Sequence, residues 1–249
     1  MFIYSSLWFV YSLLVRRNDI ADTAWGVGFV YLVAVTVTTR PSVIENASFW
    51  IVAFCTIIWA VRLSLHIHQR NKKRTEDYRY KEWRNSWGKW FYIRSYLQVF
   101  LLQGFLTVII SISLLTSAVT NSQALSVISV LGIIIWVLGF LIESIADAQL
   151  SKFTSELQNY GKIMTSGLWS YSRHPNYFGE VLQWWGIWVM TIPSGMFLLT
   201  LLSPVTITLL VSYVSGIPLL ENRYNGNLEY EIYKNKVSIF IPWFPKKTS

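Results

Sequence analysis

The sequence predicts an all-α, polytopic membrane helical bundle of about seven transmembrane helices, with the N-terminus outside and the C-terminus cytoplasmic. Three observations carry that prediction. Hydrophobic residues fill 53% of the 249 positions and charged residues only 14%, and mean hydropathy is +0.39. The apolar residues gather in runs, several long enough to cross a core of about 30 Å at about 1.5 Å per residue. Charge placement is one-sided, as short membrane loops require when Lys and Arg stay on the cytoplasmic face.

The runs justify the elements in order. Residues 2–15 form a short first span; no basic residue precedes it and only Arg16-Arg17 follows, which separates it from a signal peptide's apolar region. Spans follow at 24–39, 49–65, 93–117, 125–142, 178–192 and 196–215. With seven spans, the inner side receives Arg16-Arg17, residues 66–92, residues 143–177 and the tail after Gly216. Only Arg40 falls outside, and the outer loops 41–48, 118–124 and 193–195 are short, with one acid, Glu45. No repeat, linker or low-complexity tract appears, so residues 1–249 read as a single membrane domain whose motif-rich part is 140–245. Topology accounts for most of the net charge of +8, with membrane lipids or a phosphorylated cofactor as further partners and no nucleic acid.

The most informative stretch is Ser172-Arg173-His174-Pro175-Asn176-Tyr177-Phe178-Gly179-Glu180, a polar, cation-bearing loop that runs directly into an apolar helix. Pro175 suits a first helical position, Ser172 or His174 can cap it, and Arg173 adds positive charge beside a helix end that already favours anions. Asn176 and Glu180 are four apart and share a face on which one ligand could be hydrogen-bonded. A capped helix with a snorkelling Arg explains the same letters without a ligand.

Ionisable residues within apolar helices are costly and usually face a cavity. Asp22 opens the second span in Asp22-Thr23-Ala24-Trp25-Gly26, where an ordinary helix-dipole role is the alternative. Glu143 and Asp147 extend the fifth span as one acidic stripe, repelling each other unless they take a cation, hydroxyls or a neighbouring Arg. The main basic patch runs from Arg70 to Tyr80. In the tail, Tyr230 and Tyr233 share a helix face, and Pro242 and Pro245 interrupt an apolar-aromatic end.

Several classes are excluded. The single Cys, Cys55, permits no internal disulfide and reads as core filler, and His66 and His68 point to different faces of a helix, so the metal set is none. Neither a G-x-G-x-x-G after a strand nor a P-loop is present, so a nucleotide here is not held by a soluble Rossmann domain.

Taken together, these residues resemble the steroid 5α-reductase and sterol-reductase superfamily, and specifically its bacterial membrane branch called DUF1295. The resemblance covers nearly the whole chain. Its strongest part is Asp147-x-Gln149, Gly167-Leu168-Trp169-x-x-Ser172-Arg173-His174-x-Asn176-Tyr177-x-Gly179-Glu180, Pro218-Leu219-Leu220-Glu221, Tyr230-x-x-Tyr233 and Phe240-Ile241-Pro242. Asp22-x-x-Trp25-Gly26 and Glu76-Asp77-x-Arg79-Tyr80 also look like that branch. In sterol C14-reductases the corresponding Arg-His-x-Asn-Tyr motif lines an NADPH pocket. The resemblance therefore implies cofactor-binding roles for Asp147, Arg173, His174, Asn176, Tyr177, Glu180, Glu221, Arg223, Tyr230 and Tyr233. For the 2′-phosphate that distinguishes NADPH from NADH, the candidates are Arg74, Arg79, Lys152 and Arg173.

The implied activity is an NADPH-dependent reduction of a carbon–carbon double bond in a lipid-like substrate such as a steroid, an isoprenoid or an unsaturated lipid, at a cytoplasmic-side site of a multi-pass integral membrane protein. Such chemistry needs the acceptor carbon about 3–3.5 Å from the hydride donor and a group that supplies a proton. The 5α-reductases use an early-span acid and a Tyr there, so the catalytic candidates are Asp22, Tyr78 and Tyr80. An Asp buried among apolar groups would be a stronger proton holder than usual. A second resemblance competes. Isoprenylcysteine and phospholipid methyltransferases carry Arg-His-Pro-x-Tyr-x-Gly and a later Glu-Glu pair around S-adenosylmethionine; this chain departs at the second acid, where Asn222 follows Glu221. A non-catalytic lipid-binding membrane protein on the same scaffold is the third reading.

Overall fold

The structure, a computed structural model, describes residues 1–72, 75–120 and 126–246. Arg74, one of the candidate nucleotide cations, and most of the expected outer loop 118–124 lie outside the described residues. The described residues are helical, with no β-strand among them; an isolated parallel bridge joins Ser172 to Ser238.

The helices are α1 (Phe2–Val15), α2 (Ile20–Thr39), α3 (Ala47–Lys72), α4 (Tyr78–Trp87), α5 (Phe91–Arg94), α6 (Leu102–Ile110), α7 (Ile112–Ser117), α8 (Val127–Ser155), α9 (Pro175–Thr191), α10 (Phe197–Thr200), α11 (Leu202–Leu209), α12 (Ile217–Arg223) and α13 (Leu228–Lys236). Two π-helical segments, Ser95–Leu101 and Leu210–Val214, interrupt the long stretches. Five stretches are long and apolar enough to cross a membrane: Ile20–Thr39, Ala47–Lys72, Tyr78–Ile110, Val127–Ser155 and Phe197–Arg223. Among the described residues each of the seven apolar runs lies mainly in helix, but α1 has 14 residues and α9 has 17. At about 1.5 Å per residue they reach about 21 and about 26 Å, short of a core of about 30 Å.

The chain divides into two compact units. The first comprises Met1–Leu125 and Pro193–Leu202. In it α2 and α3 pack side by side: the Phe29 and Trp59 rings meet edge to face at 5.0 Å in a fully buried core. Gly26 permits that approach, because a Cβ there would strike Ser64 and the backbone oxygen of Ala60. Tyr4 on α1 donates to the Ala24 carbonyl at 2.7 Å. α4 begins where the Asp77 side chain accepts from Arg79 N at 3.0 Å, an N-cap that satisfies one of the free amides of the first turn.

The second unit comprises Ser126–Ile192 and Ser203–Ser249. Its frame is the antiparallel pair α8 and α9. Gly132 and Gly139 on α8 stand opposite Gly186 and Gly179 on α9, so the same seven-residue spacing occurs on both partners. A Cβ on Gly179 would lie 2.5 Å from Glu143 N and 2.6 Å from Gly139 O, and backbone cannot move aside. Small residues at such a seam bring helices together where hydrophobic burial supplies little driving force. In α13, Asn227 accepts from Tyr230 N at 3.1 Å, acids stand in the first turn and lysines in the last, as the helix dipole favours.

Candidate functional site

The second unit gathers most of the expected cofactor-binding residues. Arg173 and His174 lie just before α9, 6% and 3% exposed. Glu221 reaches them from α12: its Oε1 is 3.1 Å from His174 Nε2 and 3.2 Å from Arg173 Nε. The same oxygen accepts from Tyr230 Oη at 2.8 Å. Glu221 is brought there by a kink. The π segment ends with Ser215 N bonded to Leu210 O at 2.8 Å, and Gly216 then passes so close to Val211 that a Cβ would lie 2.5 Å from its carbonyl oxygen.

Three polar atoms of Arg173 and His174 have no hydrogen-bond partner among the described residues; one of them, Arg173 Nε, still has the Glu221 carboxylate 3.2 Å away. Arg173 Nη1 is a buried donor, and His174 Nδ1 is the ring nitrogen left over once Nε2 faces the Glu221 carboxylate. Buried polar atoms are normally paired, so such orphans mark a ligand, an ion or water. Next to them, α9 starts on Pro175 with no side-chain cap. Ser172 does not cap it either; its Oγ accepts from His174 N at 3.1 Å and donates to Phe240 O at 2.7 Å. The helix therefore presents its positive end without a side-chain cap, beside a guanidinium with an unused donor.

The remaining candidates are placed as follows. Asn176 donates to Asp147 Oδ1 at 3.1 Å, and Tyr177 stacks on His174 with ring centres 5.8 Å apart. Glu180 is buried. Tyr233 Oη is tied to backbone, to Trp169 O at 2.5 Å and Ser172 O at 3.4 Å, so it braces the loop rather than facing a ligand with its hydroxyl. Burial raises both the Tyr230 and Tyr233 phenols above their ordinary range, with the Glu221 carboxylate adding to each, so both hydroxyls remain donors at neutral pH. Arg223 and Lys152 are exposed.

The first unit holds a separate polar network around the expected catalytic residues. Tyr80 Oη donates to Asp22 Oδ1 at 2.6 Å, and Arg79 Nη2 binds Asp22 Oδ2 at 2.9 Å. Arg79 also pairs with Asp77 at 3.0 Å, so its guanidinium already serves two carboxylates. The expected apolar setting for Asp22 is not what surrounds it: the acid accepts from a guanidinium and from the hydroxyl of Tyr80, itself buried. Tyr78 is 42% exposed. The two stretches Asp22-x-x-Trp25-Gly26 and Glu76-Asp77-x-Arg79-Tyr80 thus meet in space.

Sequence reasoning missed several participants. Glu143, noted only as half of a stripe, accepts from Gln183 Nε2 at 2.6 Å, while Asp147 takes Asn176; two carboxylates four apart meet two carboxamides seven apart on the facing helix. The matched glycine spacing on α8 and α9 was the available signal. Arg17, Asn18 and Asp19 were also passed over. Arg17 pairs with Asp19 at 2.6 Å, Asn18 N binds Glu76 at 2.7 Å, and Asn18 Nδ2 donates to Ser95 Oγ at 2.5 Å in the π segment. Among the described residues no group of His, Cys, Asp and Glu is arranged to hold a metal ion.

The family described as "Protein of unknown function (DUF1295)" matches residues 8–237, which include both clusters. The chain belongs to the DUF1295 family. The chain is also similar to a Schizosaccharomyces pombe protein described as "Uncharacterized protein C594.04c", 22% identical over 222 residues, covering 80% of this chain and 64% of that protein. The chain therefore spans less than two thirds of that relative's length. No solved structure matches at a significant level.

Proposed function

We propose that this DUF1295 protein is a membrane-embedded, NADPH-dependent reductase acting on a carbon–carbon double bond of a lipid-like substrate. The observation that supports it best is the buried, unpaired Arg173 Nη1 beside His174 Nδ1 at the uncapped start of α9. That donor set fits a nucleotide phosphate: a guanidinium, a helix N-terminus and an imidazole already oriented by a carboxylate. NADPH, when bound, supplies a hydride. The chain's own residues do the rest: Glu221 holds Arg173 and His174 in register, Tyr230 fixes Glu221, and Asn176 presents the polar face of α9 with Asp147 behind it. Tyr80 Oη, hydrogen-bonded to Asp22, is the group to which we assign the proton donation. The positive-inside pattern supports an N-terminus outside and a nucleotide site on the cytoplasmic side.

The competing cofactor is S-adenosylmethionine, whose sulfonium calls for a carboxylate facing it. Glu221 already accepts from Tyr230 and faces the Arg173 guanidinium and the His174 ring, and Asn222 stands where the methyltransferases place their second acid. The deciding experiment is a thermal-shift panel on detergent-purified protein with NADPH, NADH and S-adenosylmethionine. A ligand at about 100 times its dissociation constant stabilises by about 2.7 kcal/mol. Stabilisation by NADPH is expected; stabilisation by S-adenosylmethionine alone would overturn the reductase reading.

A further inference from the structure

We infer that the C-terminal strap of the second unit, residues 238–246, lies in the headgroup layer of an anionic bilayer and there seats the loop that carries Arg173. Three bonds join strap to loop: Arg173 N to Ser238 O at 2.8 Å, Ser172 Oγ to Phe240 O at 2.7 Å, and Trp243 N to Tyr171 O at 2.9 Å. The strap is irregular, with bends at residues 239–241, and its side chains divide between the loop and the outside. Phe240 turns inward and its ring meets Phe178 at 5.7 Å. Ile239, Ile241 and Trp243 turn outward, 47%, 61% and 71% exposed, and Phe244 follows at 77%.

Scattered exposed apolar residues need no explanation, but a continuous apolar edge does. Lysines border this one: Lys234 and Lys236 close α13, and Lys246 N bonds back to Lys236 O at 2.9 Å, bringing two lysines together at the edge. An edge of Trp, Phe and Ile bordered by lysines matches the acyl–headgroup boundary, where aromatic rings settle and ammonium groups meet lipid phosphates. The strap's level agrees. Residues 171–173 directly precede α9, so a segment bonded to them lies where the chain enters its apolar helix. A second copy is the less suitable occupant, because Pro242 and Pro245 lack the N–H groups that strand addition along this edge would use. The inference does not depend on which cofactor the site takes.

The test places nitroxide labels on Ile241→Cys and Trp243→Cys in a Cys55→Ala background, reconstituted in nanodiscs of phosphatidylcholine with or without phosphatidylglycerol. Collisions with oxygen should exceed those with a water-soluble nickel chelate at both positions. The excess should grow with phosphatidylglycerol, and Lys234→Gln, Lys236→Gln and Lys246→Gln together should abolish that growth. Equal or greater nickel access in both lipids overturns the inference. So does label–label coupling between copies, or lipid dependence that survives loss of the lysines.

Discussion

Glu221 Oε1 stands 3.1 Å from His174 Nε2 and 3.2 Å from Arg173 Nε, so one carboxylate oxygen positions two consecutive side chains of the motif. Its own place depends on Tyr230, and Tyr230 depends on the Asn227 cap that starts α13. The tail therefore supports Arg173 and His174 through a chain of contacts that runs from the α13 cap to Glu221.

Replacing Glu221 by Gln keeps the size and removes the charge, leaving the Arg173 guanidinium buried without its counter-ion. Breaking a buried pair costs about 3–5 kcal/mol, and the partial exposure of Glu221 reduces this to about 2–4 kcal/mol. Glu221→Gln should lower the unfolding midpoint in detergent, whereas Arg223→Ala on the exposed face of the same helix should move it little. Equal effects from both would remove the structural role assigned to Glu221.

The α8–α9 seam makes a second prediction. Gly179→Ala puts a methyl group 2.5 Å from Glu143 N and 2.6 Å from Gly139 O, where only backbone could give way. Overpacking of this kind costs about 1–3 kcal/mol, and backbone contact favours the upper end. Gly28→Ala is the control: its nearest neighbours, Met1 Cε and Thr107 Cγ2, are at 3.4 Å, within ordinary contact. Calorimetry or thermal inactivation should separate the two variants clearly.

Asp77 supports an acid-stability prediction. Burial alone would raise its pKa, but the hydrogen bonds and charge of Arg79 outweigh burial and hold it below the ordinary carboxylate value. A depressed folded-state pKa contributes stability that is full above the unfolded value, about 3.9, and lost as pH falls through the folded one. Asp77→Asn keeps a competent helix cap while removing the charge. The variant should be less stable than the parent at pH 7, and the gap should close below about pH 4. A gap that is constant with pH would show that the ion pair is not its source.

Much of this was legible in the chain. Apolar runs located every long helix, because hydrocarbon admits only backbone whose polar groups are satisfied within the segment. Arg173 and His174 were readable from capping and charge at the start of α9, which are local properties, whereas Glu221 and Tyr230 entered only through the family resemblance. What could not be read was pairing across distance. That Asp22 would meet Arg79 and Tyr80 depends on how α2 packs near the 75–80 turn, and that Glu143 would take Gln183 depends on the register of α8 against α9. Isolated polar residues on separate helices carry no sequence mark of their partner. Span length was the other weak point, because α1 and α9 are apolar but stop short of the usual crossing length.

The last prediction separates nucleotide binding from chemistry. Asn176 stands in the first turn of α9, two residues beyond His174, with its amide on Asp147, so truncation leaves a buried carboxylate short of a donor and removes a polar group from the face proposed to meet the nucleotide. Asn176→Ala should weaken NADPH binding by about 1–3 kcal/mol, the usual cost of leaving partners unpaired. Asp22 belongs to the other unit, where its role is to hold the Tyr80 hydroxyl and the Arg79 guanidinium. Asp22→Asn should leave the NADPH dissociation constant within about threefold while lowering single-turnover rate, and Tyr80→Phe should lower it at least as much, because it removes the proton itself. Dissociation constants measured beside single-turnover rates would distinguish the two phenotypes. If Tyr80→Phe turns over as fast as the parent, the proton comes from elsewhere, and Tyr78 is the next residue to replace.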